Sequence, residues 1–134
     1  MLNPREVFEN RYTIWLQSVD FKTLKQDKAG IEVSCYDQNK VTINNDTIDI
    51  ELTRKVSSDV FVLEITMGAK LKFRSNCEKR PLADEIEDEI IKTPIVTNLL
   101  SRISMLIGQV TSAHGREPLI TPPTFLKEND VLEP

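Results

Sequence analysis

The longest regular pattern in this sequence is an alternation of apolar and mostly polar residues that runs without a break from residue 60 to residue 73. The apolar positions are Phe61, Leu63, Ile65, Met67, Ala69, Leu71 and Phe73. Successive side chains of a strand point to opposite faces, so a period of two over this length predicts a strand with one buried face. Gly68 lies on its other face and indicates a bend or bulge.

Three shorter segments predict further strands, at residues 11–21, 31–43 and 48–53. Residues 37–40 (DQNK) are polar and predict a turn within the second of these segments. Residues 44–46 (NND) predict a turn after it, and residues 57–59 (SSD) predict a turn before the longest strand. Consecutive strands that are joined by short turns favour an antiparallel sheet.

The pattern becomes helical after residue 75. Pro81 suits the first turn of a helix, and Pro94 interrupts or restarts it. Apolar residues then recur at helical spacing, at Ile95, Val96, Leu99, Leu100, Ile103, Leu106, Ile107 and Val110. This stripe is wider than a helix on one sheet requires, so we predict burial against the sheet and against a second subunit. The predicted oligomer interface consists of Leu99, Leu100, Ile103 and Ile107.

A tail follows the long helix. Gly115 is expected to end the helix, and residues 118–125 (PLITPPTF) contain too many prolines to be helical. With 134 residues, the chain fits a single domain over residues 1–134. The predicted fold class is α+β: a four-stranded antiparallel sheet with a long helix packed on one face and an extended, Pro-rich C-terminal tail.

Charge and hydropathy exclude several kinds of partner. The net charge of −4 leaves no basic footprint for nucleic acid. No apolar run reaches the length of a membrane span, and residues 1–6 do not resemble the start of a signal peptide. We therefore expect a cytoplasmic protein without nucleic-acid partners or membrane insertion, in which Cys35 and Cys77 are reduced thiols.

Residues that can support catalysis are few and isolated. His114 lies at the predicted end of the long helix, where it interacts favourably with the helix terminus, and no nucleophile motif accompanies it. Acidic residues at positions 84–89 favour a solvated helix face over a metal site. Asp49 and Glu51 share one face of a strand and could act as a catalytic pair of acids. Their alternation with apolar neighbours explains them equally well as the outer face of a sheet. We therefore predict that the chain is not an enzyme and holds no cofactor or metal.

Two stretches, and more weakly a third, carry a resemblance to a known family. The first is residues 60–65 (VFVLEI), and the weaker third is residues 19–21 (VDF). The second runs from residues 94–96 (PIV) and 102–104 (RIS) through Gly115 to residues 118–125. In these stretches, and in the order of its elements, the chain resembles the SecB family of export chaperones.

The resemblance implies subunits that assemble as dimers of dimers and hold unfolded polypeptides in apolar grooves without ATP. Aromatic and flexible apolar side chains suit such grooves because they can repack around many sequences. By position, the implied client-binding residues are Trp15, Phe21, Leu24, Phe125 and Leu126. The implied clients are preproteins that pass to the SecA motor, or one dedicated client such as the antitoxin of a toxin–antitoxin–chaperone system.

The resemblance also implies a SecA-binding surface, formed here by Val62, Glu64 and Asp20. Gln17 or Ser18 and Lys22 occupy the approximate positions of acidic residues on the family's first strand, which leaves SecA binding and service to an antitoxin both open. A second hypothesis is an adaptor or assembly protein that binds one folded partner without catalysis. Such an adaptor is expected to ignore unfolded peptides, which a chaperone binds.

Overall fold

The computed structural model describes residues 2–24, 33–77, 79–113 and 117–128. Its elements are α1 (Pro4–Val7), β1 (Thr13–Thr23), β2 (Val33–Asn44), β3 (Thr47–Ser58), β4 (Phe61–Lys72), α2 (Ala83–Ile90) and α3 (Pro94–Ala113). The predicted α+β class is confirmed. His114 and Gly115 lie outside the described residues. No single helix in the described ranges is long and apolar enough to span a membrane; only α2 and α3 together meet that criterion, and they meet at 60°.

The four strands form one antiparallel sheet in the order β1-β4-β3-β2. β2, β3 and β4 follow one another through two tight turns, whereas β1 lies at the far edge beside β4. In the first turn Asn45 has a φ of 54°, a left-handed conformation that asparagine tolerates better than most residues. In the second, the Ser58 hydroxyl accepts hydrogen bonds from the backbone N–H groups of Val60 and Phe61. Both predicted turns are confirmed, the second one residue later than expected.

β2 runs without interruption through residues 37–40, so the turn predicted there is wrong. The alternation continues across these polar residues. Gln38 and Lys40 are exposed, whereas Asp37 is buried on the helix-facing side. A strand can carry a polar residue on its buried face when that residue has a buried partner, and Asp37 has one on β3.

The core lies between the sheet and the helices. α3 packs on β3 and β4, and α2 packs beside β2. The fully buried apolar side chains include Ile48, Ile50, Leu52, Leu63, Ile65, Ala69, Ile86, Ile90, Leu99, Ile103 and Ile107. Phe8, just after α1, pairs with Phe73 at the end of β4, and their ring centroids are 5.4 Å apart. The long alternation in β4 thus supplies one wall of the core.

The two edges of the sheet are protected unequally. At the β2 edge, the N–H of Val41 donates to the Glu87 carboxylate at 3.4 Å, and the Asn39 amide donates to the Glu87 carbonyl oxygen at 3.2 Å. Helix α2 therefore covers part of that edge. β1 is exposed along almost all of its length within the described part of the chain. An open edge strand offers its unpaired backbone groups to another polypeptide.

Gly68 makes room for Trp15 and does not mark a bulge in β4. Trp15 lies opposite Gly68 in the β1–β4 pair, and a Cβ added to Gly68 would lie 2.4 Å from the indole ring. The bulge lies in β1, where Gln17 has no partner between Leu16 and Ser18. An extra residue in one strand reverses the face to which all later side chains point. Trp15 therefore lies on the outer face of the sheet.

We expect Gly68→Ala to push the Trp15 indole away from the sheet, because a contact of 2.4 Å must be relieved. Trp15 is the only tryptophan, so its fluorescence emission should move to longer wavelength, and stability should fall by about 1–3 kcal/mol. Gly108→Ala is the matched control, since its Cβ would lie 3.7 Å from its nearest neighbour and alanine favours a helix. An unchanged emission spectrum in Gly68→Ala would contradict this packing.

Candidate functional site

A buried ion pair joins the edge strand β2 to its neighbour β3. Arg54 on β3 and Asp37 on β2 are partners in register, and both side chains are 0% exposed. Nε and Nη2 of Arg54 donate to the two carboxylate oxygens of Asp37, each at 2.7 Å. This two-bond geometry is the one in which a guanidinium binds a carboxylate most strongly. Burial of two charges is costly unless their other hydrogen-bonding atoms are also satisfied, so Arg54 needs further acceptors.

The C-terminal tail supplies those acceptors. Nη1 of Arg54 donates to the Thr121 hydroxyl at 3.0 Å and to the Pro122 carbonyl oxygen at 2.6 Å. Nη2 donates to the Thr124 carbonyl oxygen at 2.9 Å. The Ser104 hydroxyl on α3 accepts a further bond from Nη1 at 3.2 Å. One guanidinium thus holds the tail mainly through backbone carbonyl groups, which every residue type possesses.

Asp37 holds the end of the same tail. Its carboxylate accepts a hydrogen bond from the N–H of Leu126 at 2.8 Å, and its own N–H donates to the Leu126 carbonyl oxygen at 2.7 Å. At the other end, the N–H of Leu119 donates to the Thr111 hydroxyl on α3 at 2.9 Å. Residues 119–126, called here the tail segment, therefore run from α3 to the edge of β2. The tail segment and the Arg54–Asp37 pair together form the Arg54 site.

The Arg54 site was missed at the level of sequence, although a signal for it is present. Arg54 occupies the next position in the buried phase of β3, after Ile48, Ile50 and Leu52. A charged residue in that phase indicates a buried partner, because an unpaired buried charge is strongly unfavourable. Asp37 occupies the equivalent phase of β2 between Cys35 and Val41, but this is visible only once residues 37–40 are recognised as strand.

The pKa of the Cys35 thiol is raised to about 11, chiefly because burial removes it from water. The nearby Arg54 guanidinium lowers that pKa and the Asp37 carboxylate raises it, both by smaller amounts. Cys35 is therefore a neutral thiol at physiological pH and has no reactive character. Within the described residues, no three His, Cys, Asp or Glu side chains are placed to bind a metal ion.

Three of the predicted client-binding residues lie on β1 or next to it, but on different faces. Phe21 is on the helix-facing side and stacks on Phe61, with 5.6 Å between ring centroids. Leu24 follows the strand and is half-buried. Trp15 lies on the outer face, so it does not share a surface with Phe21. The bulge at Gln17 is the physical reason, because it reverses the phase between the two aromatic residues.

The other two predicted client-binding residues lie at the opposite edge of the sheet. Phe125 and Leu126 are half-buried, and Leu126 is hydrogen-bonded to Asp37 on β2. Three strand spacings separate β2 from β1, which amounts to about 14 Å. Within one chain, Phe125 and Leu126 therefore do not share a surface with the client-binding residues predicted on the first strand. They fill space next to β2.

An apolar strip lies open on the helix-facing side of β1, formed by Ile14, Leu16, Val19 and Phe21. Leu16 is 47% exposed and Val19 is 42% exposed. Their partners on β4, Met67 and Ile65, are buried beneath α3. The core-facing side of the sheet thus continues onto β1, where the chain's own helices leave it open. A continuous exposed apolar strip of this kind is a candidate interaction surface.

The predicted SecA-binding residues do lie together. Asp20 and Glu64 are direct cross-strand partners on the outer face, and Val62 is two residues from Glu64 on the same face. Lys55 on β3 is the partner of Glu64 on its other side, and Lys22 is the partner of Val62. Two lysines thus dilute the negative charge of this surface.

The predicted oligomer interface is wrong for all four side chains. Leu99, Leu100, Ile103 and Ile107 are at most 1% exposed, because the chain's own sheet and tail cover both flanks of the apolar stripe. No area of these side chains remains for a second subunit. The exposed apolar residue of α3 is Met105, at 66%.

Comparisons with known proteins show which folds this architecture resembles. No protein-family model and no curated protein matches the sequence. Among solved structures, the Mycobacterium tuberculosis Rv1957 SecB-like chaperone in complex with a ChAD peptide from the Rv1956 HigA1 antitoxin is similar, with a TM-score of 0.69 and 14% identity over 92% of this chain and 88% of that one. A Streptococcus agalactiae protein of unknown function has a TM-score of 0.59 and 12% identity over 85% and 97% of the two chains. The chain therefore has a SecB-like fold, as the sequence resemblance predicts.

Arg54→Met should destabilise the chain by about 3–5 kcal/mol, because it leaves the Asp37 carboxylate buried without its partner. Chemical denaturation followed by far-UV circular dichroism measures the change. Lys55→Met, one residue along β3 on the outer face, is the matched control and should alter stability by less than about 0.5 kcal/mol. The double variant Asp37→Leu with Arg54→Met should recover part of the loss. Equal stability of Arg54→Met and Lys55→Met would refute the role of the ion pair.

Proposed function

We propose that this chain is a cytoplasmic, non-enzymatic chaperone that holds unfolded polypeptide segments without ATP. The observation that carries the proposal is the apolar strip of β1, left open beside an unprotected strand edge on a SecB-like fold. An unfolded polypeptide carries both apolar side chains and unpaired backbone groups. A strand edge flanked by apolar side chains complements both, because main-chain hydrogen bonds supply affinity without requiring a particular sequence.

One of the two similar structures supports a peptide as the client. The SecB-like chaperone from Mycobacterium tuberculosis has the same fold and was solved with a peptide from an antitoxin. We propose the same class of client here, either a preprotein for export or a dedicated antitoxin. We propose that the client surface lies at the end of β1, around Phe21 and Leu24, where aromatic and aliphatic side chains are only half-buried.

We also propose that the chaperone is a homo-oligomer in which the central part of β1 pairs with a second copy. The strand is 11 residues long, more than a short client contact requires. Leu16 and Val19 lie near its middle and would be buried by a partner strand and its helix. This arrangement replaces the α3 stripe as the subunit interface, and it leaves the Phe21–Leu24 end of the apolar strip and of the strand edge for clients.

The outer-face residues Asp20, Val62 and Glu64 form the proposed contact for SecA if the clients are preproteins. The paired carboxylates of Asp20 and Glu64 support an acidic contact, whereas Lys55 and Lys22 oppose it. The two carboxylates and the two lysines nearly balance in charge. A chaperone that serves a dedicated client such as an antitoxin therefore fits this surface as well as one that delivers preproteins to SecA.

Replacing Leu24 with serine should weaken client binding because it removes an apolar contact at the proposed client surface. The measurement is suppression of aggregation of an unfolded test protein, followed by light scattering at stoichiometric ratio. Leu82→Ser is the matched control, since Leu82 is 69% exposed at the start of α2, away from β1. We expect Leu24→Ser to need several times more chaperone for the same suppression. If the unmodified chain ignores unfolded proteins altogether, the adaptor hypothesis replaces the chaperone.

Val19→Lys should dissociate the oligomer, because a charge in the middle of a paired strand interface is unpaired and buried. Sedimentation velocity at several protein concentrations measures the change. Ile120→Lys is the control, as Ile120 is 88% exposed on the tail and contributes nothing to β1. An unmodified chain that sediments as a monomer, or an oligomer insensitive to Val19→Lys, would rule out the β1 interface.

A further inference from the structure

The Arg54 site binds the tail segment with chemistry that is independent of the tail's sequence. Arg54 donates to the carbonyl oxygens of Pro122 and Thr124, and Asp37 exchanges two hydrogen bonds with the backbone of Leu126. Every extended polypeptide presents carbonyl and N–H groups in the same way. The side-chain contribution comes chiefly from the Thr121 hydroxyl, which is buried, and from the half-buried Phe125 and Leu126.

The tail segment buries one side chain, that of Thr121, while Leu119, Phe125 and Leu126 are half-buried against the core. Between its contacts, Ile120 is 88% exposed, and Pro123 and Thr124 are also exposed. The segment is therefore held largely by its backbone, unlike α3, which buries seven side chains. Local segments with few buried contacts open at lower free energy than the core.

We propose that the Arg54 site is a binding site for extended polypeptide that the chain's own tail occupies in the absence of a client. This inference rests on the proposed chaperone function and adds to it a second client contact, at the β2 edge. A client segment enters as the tail segment leaves, so that its carbonyl oxygens replace those of Pro122 and Thr124 on Arg54. Its apolar side chains take the places of Phe125 and Leu126. The tail is thus a competitor of the client.

The exchange keeps the buried charges satisfied. Arg54 and Asp37 remain paired throughout, since their mutual bonds do not involve the tail. Loss of the tail alone would leave donors of Arg54 without acceptors, which is unfavourable in a buried site. A client removes that penalty as it binds, and the empty site is therefore rarely populated. Release of the tail depends on the presence of a client.

The test is the affinity of the full-length chain for a permanently unfolded, reduced and carboxymethylated test protein. Leu126→Ala removes apolar contact from the tail but leaves the backbone bonds, so client affinity should rise by about tenfold, which corresponds to about 1.4 kcal/mol. Ile120→Ala is the matched control on the exposed side of the same tail and should leave the affinity unchanged. If Leu126→Ala fails to fold, Thr121→Val removes the hydroxyl that Arg54 binds while the side chain keeps its shape.

A second readout follows the tail directly. Hydrogen exchange of the backbone N–H groups of Leu119 and Leu126, which the tail contacts protect, should accelerate when the client is added to the unmodified chain. Weaker client binding by Leu126→Ala would show that Leu126 itself contacts the client. An unchanged client affinity, or unchanged hydrogen exchange at Leu119 and Leu126, would show that the tail does not compete with the client. Either result overturns the inference and leaves the chaperone intact. If the unmodified chain binds no unfolded protein, the chaperone function and the inference fail together.

Discussion

The ion pair of Arg54 and Asp37 is the interaction on which the rest of the structure depends. It connects β2 to β3 inside the core, and it fixes the tail segment through the remaining atoms of both side chains. The tail in turn covers one flank of α3, where the Ser104 and Thr121 hydroxyls are 2.9 Å apart. A single arginine thus links sheet, helix and tail. Because its partners come from positions far apart in the sequence, they are brought together only when the whole fold is formed.

The unequal edges of the sheet follow from this arrangement. The tail and α2 both lie at β2, where Glu87 and Leu126 accept backbone N–H groups of that strand. No comparable cover is seen over β1 in the described part of the chain. Edge strands that are left unprotected promote association with other chains. The edge that remains open to other polypeptides is therefore the one that the helices and the tail do not occupy.

Sequence patterns predicted the elements well and the contacts between them less well. The strands were visible because their period of two is strong, most clearly in β4. The tail was recognised from its prolines. Two features that the sequence patterns did not show, the continuation of β2 through residues 37–40 and the bulge in β1, both concern the phase of a strand. Residues 37–40 have the composition of a turn, which conceals that Asp37 continues the buried phase of β2. The bulge at Gln17 reverses the phase of β1 and separates Trp15 from Phe21, and no local signal in the sequence marks it.

The error at α3 has a different cause. The width of its apolar stripe was read as evidence for a second subunit, yet Leu100 is covered within the chain and is 1% exposed. A stripe records how much of a helix is buried and carries no information about which polypeptide buries it.

The contacts of the tail explain why an ion pair occupies positions 37 and 54, where apolar residues would also pack. Buried ion pairs are often no more stabilising than well-packed hydrophobic side chains of similar volume. An apolar pair at positions 37 and 54 would hold β2 against β3 but would offer nothing to the carbonyl oxygens of Pro122 and Thr124. Among the described contacts, the Thr124 oxygen accepts a hydrogen bond only from Arg54. The Pro122 oxygen accepts one from Arg54 and a longer one from the Ser104 hydroxyl. A guanidinium is suited to this position because it has donors to spare after its carboxylate is bound. The charged pair is therefore best explained by the polypeptide backbone that it binds.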